Sequence, residues 1–148
     1  MKVIRHGLLT AFAIAAWAFT LPAGAASINT PAESPKERVV IQVSDSDPKR
    51  WALALNVASN IQKELGADKV QVALVAFGPG ISMLAAEAEI SNRVLDAMAS
   101  GVAVEACSNS MKVVKLGPDD LTRNVMVVPA GAVEIMKRQR AGWTYLRP

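Results

Sequence analysis

Two short stretches of this chain are apolar at almost every position, and they constrain its fold more than any other feature. Val39–Val43 holds a single polar residue, Gln42, and Val70–Ala76 a single one, Gln71. A strand with one face in water alternates polar and apolar residues; a strand this continuously apolar is covered on both faces. Both faces of a sheet are covered when helices cross over it, which is the arrangement of parallel sheets. The chain between the two runs is built for that crossover. Asp47 followed by Pro48 reads as an N-cap with proline at the first helical position. Trp51, Ala54, Leu55, Ala58, Ile61 and Leu65 then recur at three- and four-residue spacings, with Gln62 the one polar residue on that stripe. Gly66 ends the helix.

The alternation continues. Phe77-Gly78-Pro79-Gly80 is a tight loop, and Ile81–Leu84 a short helical turn. Ser91–Ser100 is a second amphipathic helix, with Val94, Leu95 and Met98 turned inward. Val102–Ala106 is a third strand leading directly into Cys107, and Ser108 or Asn109 caps a short helix through Met111 and Val114. Asn124–Val128 is a fourth strand. Pro129 opens a helix to about Arg140, and Trp143–Leu146 is a last short strand. Right-handed crossovers turn this order into a single α/β domain of three layers, α/β/α, around a mostly parallel sheet of about five strands. In such sheets ligands sit beyond the carboxyl ends of the strands. That edge gathers Ser44–Asp47, Phe77–Gly80 and Cys107–Asn109.

The first 25 residues read differently. Lys2 and Arg5 precede an apolar run from Leu8 to Leu21, and Ala23-Gly24-Ala25 supplies small residues where a signal peptidase cuts. Residues 1–25 are therefore expected to be a cleaved export signal, cut after Ala25 or Ala26. The alternative, a retained anchor, requires about 20 apolar residues, more than this run holds. Residues 26–37, with Pro31 and Pro35, form a flexible leader, and 38–148 the domain. The mature chain is expected in the periplasm or otherwise outside the cytoplasm, with no membrane association. Loss of Lys2 and Arg5 brings 16 basic residues against 13 acidic ones close to balance, so a nucleic-acid partner is not expected.

The sequence has one histidine, His6, which leaves with the signal. The mature chain thus has no Ser-His-Asp triad, no Cys-His pair and no histidine metal site. Asp45, Asp47, Asp119 and Asp120 are caps and turn residues rather than metal ligands; no metal or cofactor is expected. Cys107 is the only cysteine. At a helix start, free N–H groups favour thiolate over thiol, and Lys112 and Lys115 add positive potential farther along. The competing role is a small buried core residue. Gly78-Pro79-Gly80 lacks the spacing of a nucleotide-binding loop and reads first as a turn.

Val75–Gly80 (Val-Ala-Phe-Gly-Pro-Gly), Gly101–Met111 (Gly-Val-Ala-Val-Glu-Ala-Cys-Ser-Asn-Ser-Met), Pro129-Ala-Gly-Ala-Val and Gly142-Trp143, in this order after Val39–Val43, resemble the DsrE/DsrF-like family over Arg38–Pro148. The resemblance implies a compact parallel α/β domain, a homo-oligomer (trimer or hexamer), and sulfur carried as a persulfide on Cys107 between a donor and an acceptor protein. The site then comprises Cys107, the N–H groups of Ser108, Asn109 and Ser110 around the sulfur, and Gly78, Pro79 and Gly80 shaping the pocket. Two alternatives stand beside it: a non-catalytic binding or assembly module in which Cys107 is structural, and a redox sensor acting through an intermolecular disulfide or sulfenic acid.

Overall fold

The computed structural model describes residues 37–148; the expected export signal and almost all of the leader lie outside them. Five strands form one sheet: β1 (Glu37–Val43), β2 (Val70–Ala76), β3 (Ala103–Cys107), β4 (Met126–Val128) and β5 (Thr144–Leu146). Their order is β4-β3-β2-β1-β5, and every pairing is parallel. The expected mostly parallel sheet is wholly parallel. Four α-helices accompany it: α1 (Pro48–Leu65), α2 (Ser91–Ala99), α3 (Ser108–Val114) and α4 (Gly131–Arg140).

The side-chain alternation of the strands divides the interior in two. Val39, Ile41, Val43, Val72, Leu74, Val104 and Ala106 face one way, into the larger core. There they meet Trp51, Leu55 and Ala58 of α1, Val94 of α2, Met111 of α3, and Ile81, Met83 and Leu84 of the 3₁₀ helix Gly78–Leu84. Val40, Ala73 and Val75 face the other way, against Ile135 of α4, with Phe77, Ala103 and Trp143 closing a smaller cluster. Among the described residues one face thus carries three α-helices and the other only α4. Three successive crossovers advance from β1 to β4 in one direction. The last returns from β4 to the far edge at β5, which puts its helix on the opposite face.

The start of α1 is as its sequence requires. The Asp47 carboxylate accepts a hydrogen bond from the Lys49 N–H at 2.9 Å, and Pro48 is the first helical residue. At the other end Gly66 takes a positive φ of 92° and its N–H returns to the Gln62 carbonyl. The 3₁₀ helix corrects the expected loop: Gly78, Pro79 and Gly80 are its first turn. Gly78 has φ 54°, a conformation open to glycine. Gly80 answers a different need. A Cβ there would lie 2.5 Å from the Val43 carbonyl oxygen and 2.9 Å from the Ser44 nitrogen, so only a hydrogen atom fits between this turn and the end of β1.

Edge elements are shorter than their sequence suggests. Strand β4 begins at Met126, because Asn124 adopts φ 67° and belongs to the preceding turn. Helix α4 begins at Gly131, since Ala130 is extended and serves as its N-cap. In α2 only Val94 is fully buried; Leu95 and Met98 are half-buried.

Candidate functional site

Strands β3 and β4 are neighbours, but their exits diverge. The chain leaving β3 enters α3 on the three-helix face, and the chain leaving β4 enters α4 on the other. Adjacent strands whose connections part in this way leave a crevice at their carboxyl ends. Cys107 stands in it.

Cys107 is the last residue of β3 and, with extended φ −73° and ψ 112°, is itself the N-cap of α3. This corrects the expectation that Ser108 or Asn109 caps the helix: Ser108 is the first helical residue. A sulfur thus occupies the place usually taken by a serine, threonine or aspartate oxygen. It closes no full capping hydrogen bond. The N–H groups of Asn109 and Ser110 instead face it from the first turn, where helical N–H groups lack carbonyl partners.

Two further donors converge. The Ser110 hydroxyl approaches the sulfur while its oxygen accepts the Gly78 N–H at 2.7 Å. The opening of the 3₁₀ helix therefore polarises the hydroxyl toward the thiol. From the opposite side comes the Gly131 N–H, the first of α4. Gly131 sits so close that a Cβ on it would be 3.2 Å from Cys107 Cβ and 3.0 Å from Phe77 Cβ. Burial, the largest single influence, pushes the Cys107 thiol up, since it disfavours a charged sulfur. The Ser110 hydroxyl and the N–H groups of Gly131, Ser110 and Asn109 together outweigh it and hold the thiol below its ordinary value.

Cys107 is only 5% exposed. Beside it opens a cavity of ≈540 Å³ lined by Ser46, Gly78, Pro79, Ser82, Asn109, Ser110, Val113 and Val114. Of the residues expected at the site, Gly78, Pro79, Asn109 and Ser110 line this cavity. Gly80 is buried against the end of β1, and Ser108 begins α3 without reaching the cavity. Cys107 itself is not part of the lining, although its near neighbours in sequence, Asn109 and Ser110, are. The lining has no charged side chain: hydroxyls and one amide on one part, Pro79 and two valines on the rest. Ser46, Ser82, Val113 and Val114 were not expected here, and neither was Gly131.

Beneath Cys107, two residues back on the same face of β3, lies Glu105. It is 2% exposed. The Arg138 guanidinium of α4 binds its Oε1, packs 4.4 Å above the Trp143 ring centroid, and lies 3.2 Å through Nε from Glu134 Oε1 without the alignment of a hydrogen bond. Glu105 Oε2 is buried and has no hydrogen-bond partner among the described residues. Burial raises the Glu105 carboxyl above the usual carboxylate range; Arg138 pulls it down, and Glu134 adds to the rise. Raised in the fold, this carboxyl contributes stability that is complete below about pH 4.3, its value in an unfolded chain, and is lost as pH rises through the folded value. Glu105→Gln is accordingly expected to gain stability relative to the parent as pH rises across that window. Urea unfolding from pH 4 to 8 checks it, and parallel stability curves would contradict it.

A family model for the DsrE/DsrF-like family matches residues 37–148. The chain belongs to the DsrE/DsrF-like family. Among solved structures, the protein of unknown function MTH1491 from Methanobacterium thermoautotrophicum is similar at 33% identity and TM-score 0.73, covering 76% of this chain and 100% of that one. The conserved protein of unknown function BT1422 from Bacteroides thetaiotaomicron is 16% identical over 76% of this chain and 95% of its own, with TM-score 0.63. The ychN protein from E. coli is 12% identical over 76% and 99%, with TM-score 0.62. These last two share the DsrE-like fold. No curated protein matches the chain. Among the described residues no group of three or more His, Cys, Asp and Glu is gathered for a metal, and no helix is long and apolar enough to cross a membrane.

Proposed function

We propose that this DsrE/DsrF-like protein carries sulfane sulfur as a persulfide on Cys107, outside the cytoplasm. The observation that carries the reading is the place of Cys107: it ends β3, is itself the N-cap of α3, and has Gly131 at the start of α4 packed against it from the other face, a setting that holds the thiol below its ordinary value. Membership in a sulfur-relay-type family supports it, and the export signal expected in residues 1–25 supports the location.

The chemistry needs no histidine and no metal. The Cys107 thiolate attacks the outer sulfur of a donor R–S–SH. A new S–S bond forms, the donor's S–S bond breaks, and R–S⁻ leaves. Release repeats the exchange: an acceptor thiolate attacks the outer sulfur of Cys107–S–SH, and the Cys107 thiolate departs. The sulfane atom changes hands and nothing is oxidised overall. A sulfur whose anion is stabilised serves both halves. It is deprotonated more often as the attacking group, and it leaves faster as the departing one. Large apolar side chains exposed on β4 and α4, Met126, Val127, Val133 and Met136, support assembly into a homo-oligomer, a trimer or hexamer, through that side.

The near-complete cover over Cys107 favours a second role, in which the cysteine is packing and the cavity binds a ligand or partner. Thiol reactivity separates the two. The carrier role predicts that folded protein is alkylated by monobromobimane, with a pH midpoint below the ~8.5 of a free cysteine. A thiol that reacts only after denaturation would assign Cys107 to packing.

A further inference from the structure

We propose that Glu105 is a positioning residue for Cys107: through Arg138 it fixes α4 on the sheet so that Gly131, the first residue of that helix, stays against Cys107. The proposal rests on the functional thiol argued above and extends it to residues outside the cavity.

The geometry begins with two periodicities. Glu105 and Cys107 are two residues apart on β3, so both point to the α4 face. Gly131 and Arg138 are seven residues apart on α4, so they lie on one stripe of that helix, about 10 Å apart along its axis. The helix runs back along the sheet. Its first residue reaches Cys107 and its eighth reaches Glu105. Two residues of one strand are thus gripped by two residues of one helix. The guanidinium is fixed in turn by the Trp143 ring beneath it, and the Trp143 N–H binds the Arg138 carbonyl at 3.0 Å.

A tether of this kind is needed here. Among the described residues α4 is the only helix on its face of the sheet, and its apolar anchorage is small: Ile135 is its one large buried side chain. Apolar contacts are non-directional and set the position of a helix less sharply than a paired charge does. The Gly131 contact has little tolerance, because the glycine is already against Cys107 and Phe77. A buried ion pair is a poor source of stability, since apolar residues of like volume commonly do as well. It is a good source of register, because its partners bind at one geometry only.

The charged and polar groups that bear on the sulfur are few: Ser110 and Asn109 on α3, Gly131 on α4, and, farther off, Glu105 with Arg138 and Glu134. Lys112 on α3 and Lys115 just past its end are exposed. This sets the charge effect of Glu105 against its positioning effect. Removing a nearby negative charge alone makes a thiol more acidic and faster to alkylate at pH 7. Losing the Gly131 contact does the reverse.

The test is the alkylation rate of Cys107 at pH 7, with its pH profile, in folded full-length protein. Glu105→Leu is expected to slow alkylation about threefold or more and move the profile to higher pH. Glu105→Gln, which still accepts from Arg138, is expected to stay within about twofold of the parent. Arg138→Met and the double variant Glu105→Leu/Arg138→Met are expected to be as slow as Glu105→Leu, because each cuts the same tether. The double variant buries no lone charge and serves if the single one does not fold. A Glu105→Leu protein that reacts as fast as the parent or faster, or a double variant restored to the parental rate, would overturn the proposal. Because the readout is alkylation and not sulfur loading, a parent protein that carries no sulfur would end the carrier role while leaving the positioning of the thiol decided by these rates.

Discussion

Gly80→Ala is expected to destabilise the domain by about 3 kcal/mol or more, the upper end of what overpacking a filled site costs. The new methyl group would stand 2.5 Å from the Val43 carbonyl oxygen and 2.7 Å from its carbon. Both are backbone atoms at the end of a central strand and cannot swing aside as a side-chain tip can. Val43 is also held from another direction, since its carbonyl accepts the Phe77 N–H at 3.1 Å. The strain passes to the 3₁₀ helix, and with it to Ile81, Met83 and Leu84, all fully buried. Denaturant unfolding measures the loss; a midpoint equal to the parent's would mean that the turn has slack the packing does not reveal. Gly78→Ala would meet only the Ser44 oxygen at 3.9 Å, so its cost comes from the positive φ alone, about 1 kcal/mol.

The second large effect is expected at Gly131→Ala, on the thiol as well as the fold. The added carbon meets Phe77 Cβ at 3.0 Å, and Cys107 Cβ and Phe77 Cδ1 at 3.2 Å. Two of these atoms are Cβ carbons fixed by the backbone, so α4 must lift by a few tenths of an ångström. About 1–3 kcal/mol of stability goes with it. The lift also stretches the contact between the Gly131 N–H and the sulfur. A charge-assisted hydrogen bond contributes about 1.5 kcal/mol, or roughly tenfold in thiolate population. The more basic thiolate that remains is intrinsically more nucleophilic and recovers about threefold. Alkylation at pH 7 should therefore slow by about threefold. An unchanged rate in a folded Gly131→Ala protein would show that the thiol is set by α3 alone.

What could be read from the chain beforehand divides along one line. Features whose cause lies within a few residues were legible. The continuous apolarity of Val39–Val43 and Val70–Ala76 marked two central strands, and Asp47-Pro48 marked the start of α1 almost to the residue. Cys107 was placed at a strand end and a helix start for the same reason. Features whose cause is tertiary were not. Glu105 sits inside an otherwise apolar strand, and nothing nearby says whether that carboxylate is buried or solvated; its partner Arg138 is 33 positions away. Gly131 looks like any glycine near a helix start, and its proximity to Cys107 exists only once β3 and β4 lie side by side. The boundaries of β4 and α4 moved for a related reason. Asn124 and Ala130 take conformations dictated by the turn around them, which hydropathy does not encode. The alternation of apolar and helical segments was enough to locate the reactive edge of the sheet, but not to identify the helix that completes it.

The most direct test of the carrier role is the intact mass of the protein purified without reductant, before and after incubation with inorganic polysulfide. Sulfur carried on Cys107 predicts a gain of ~32 Da, one sulfur atom, that dithiothreitol removes and that Cys107→Ser never shows. A parent protein whose mass does not change, or a serine variant that gains the same sulfur, would contradict it.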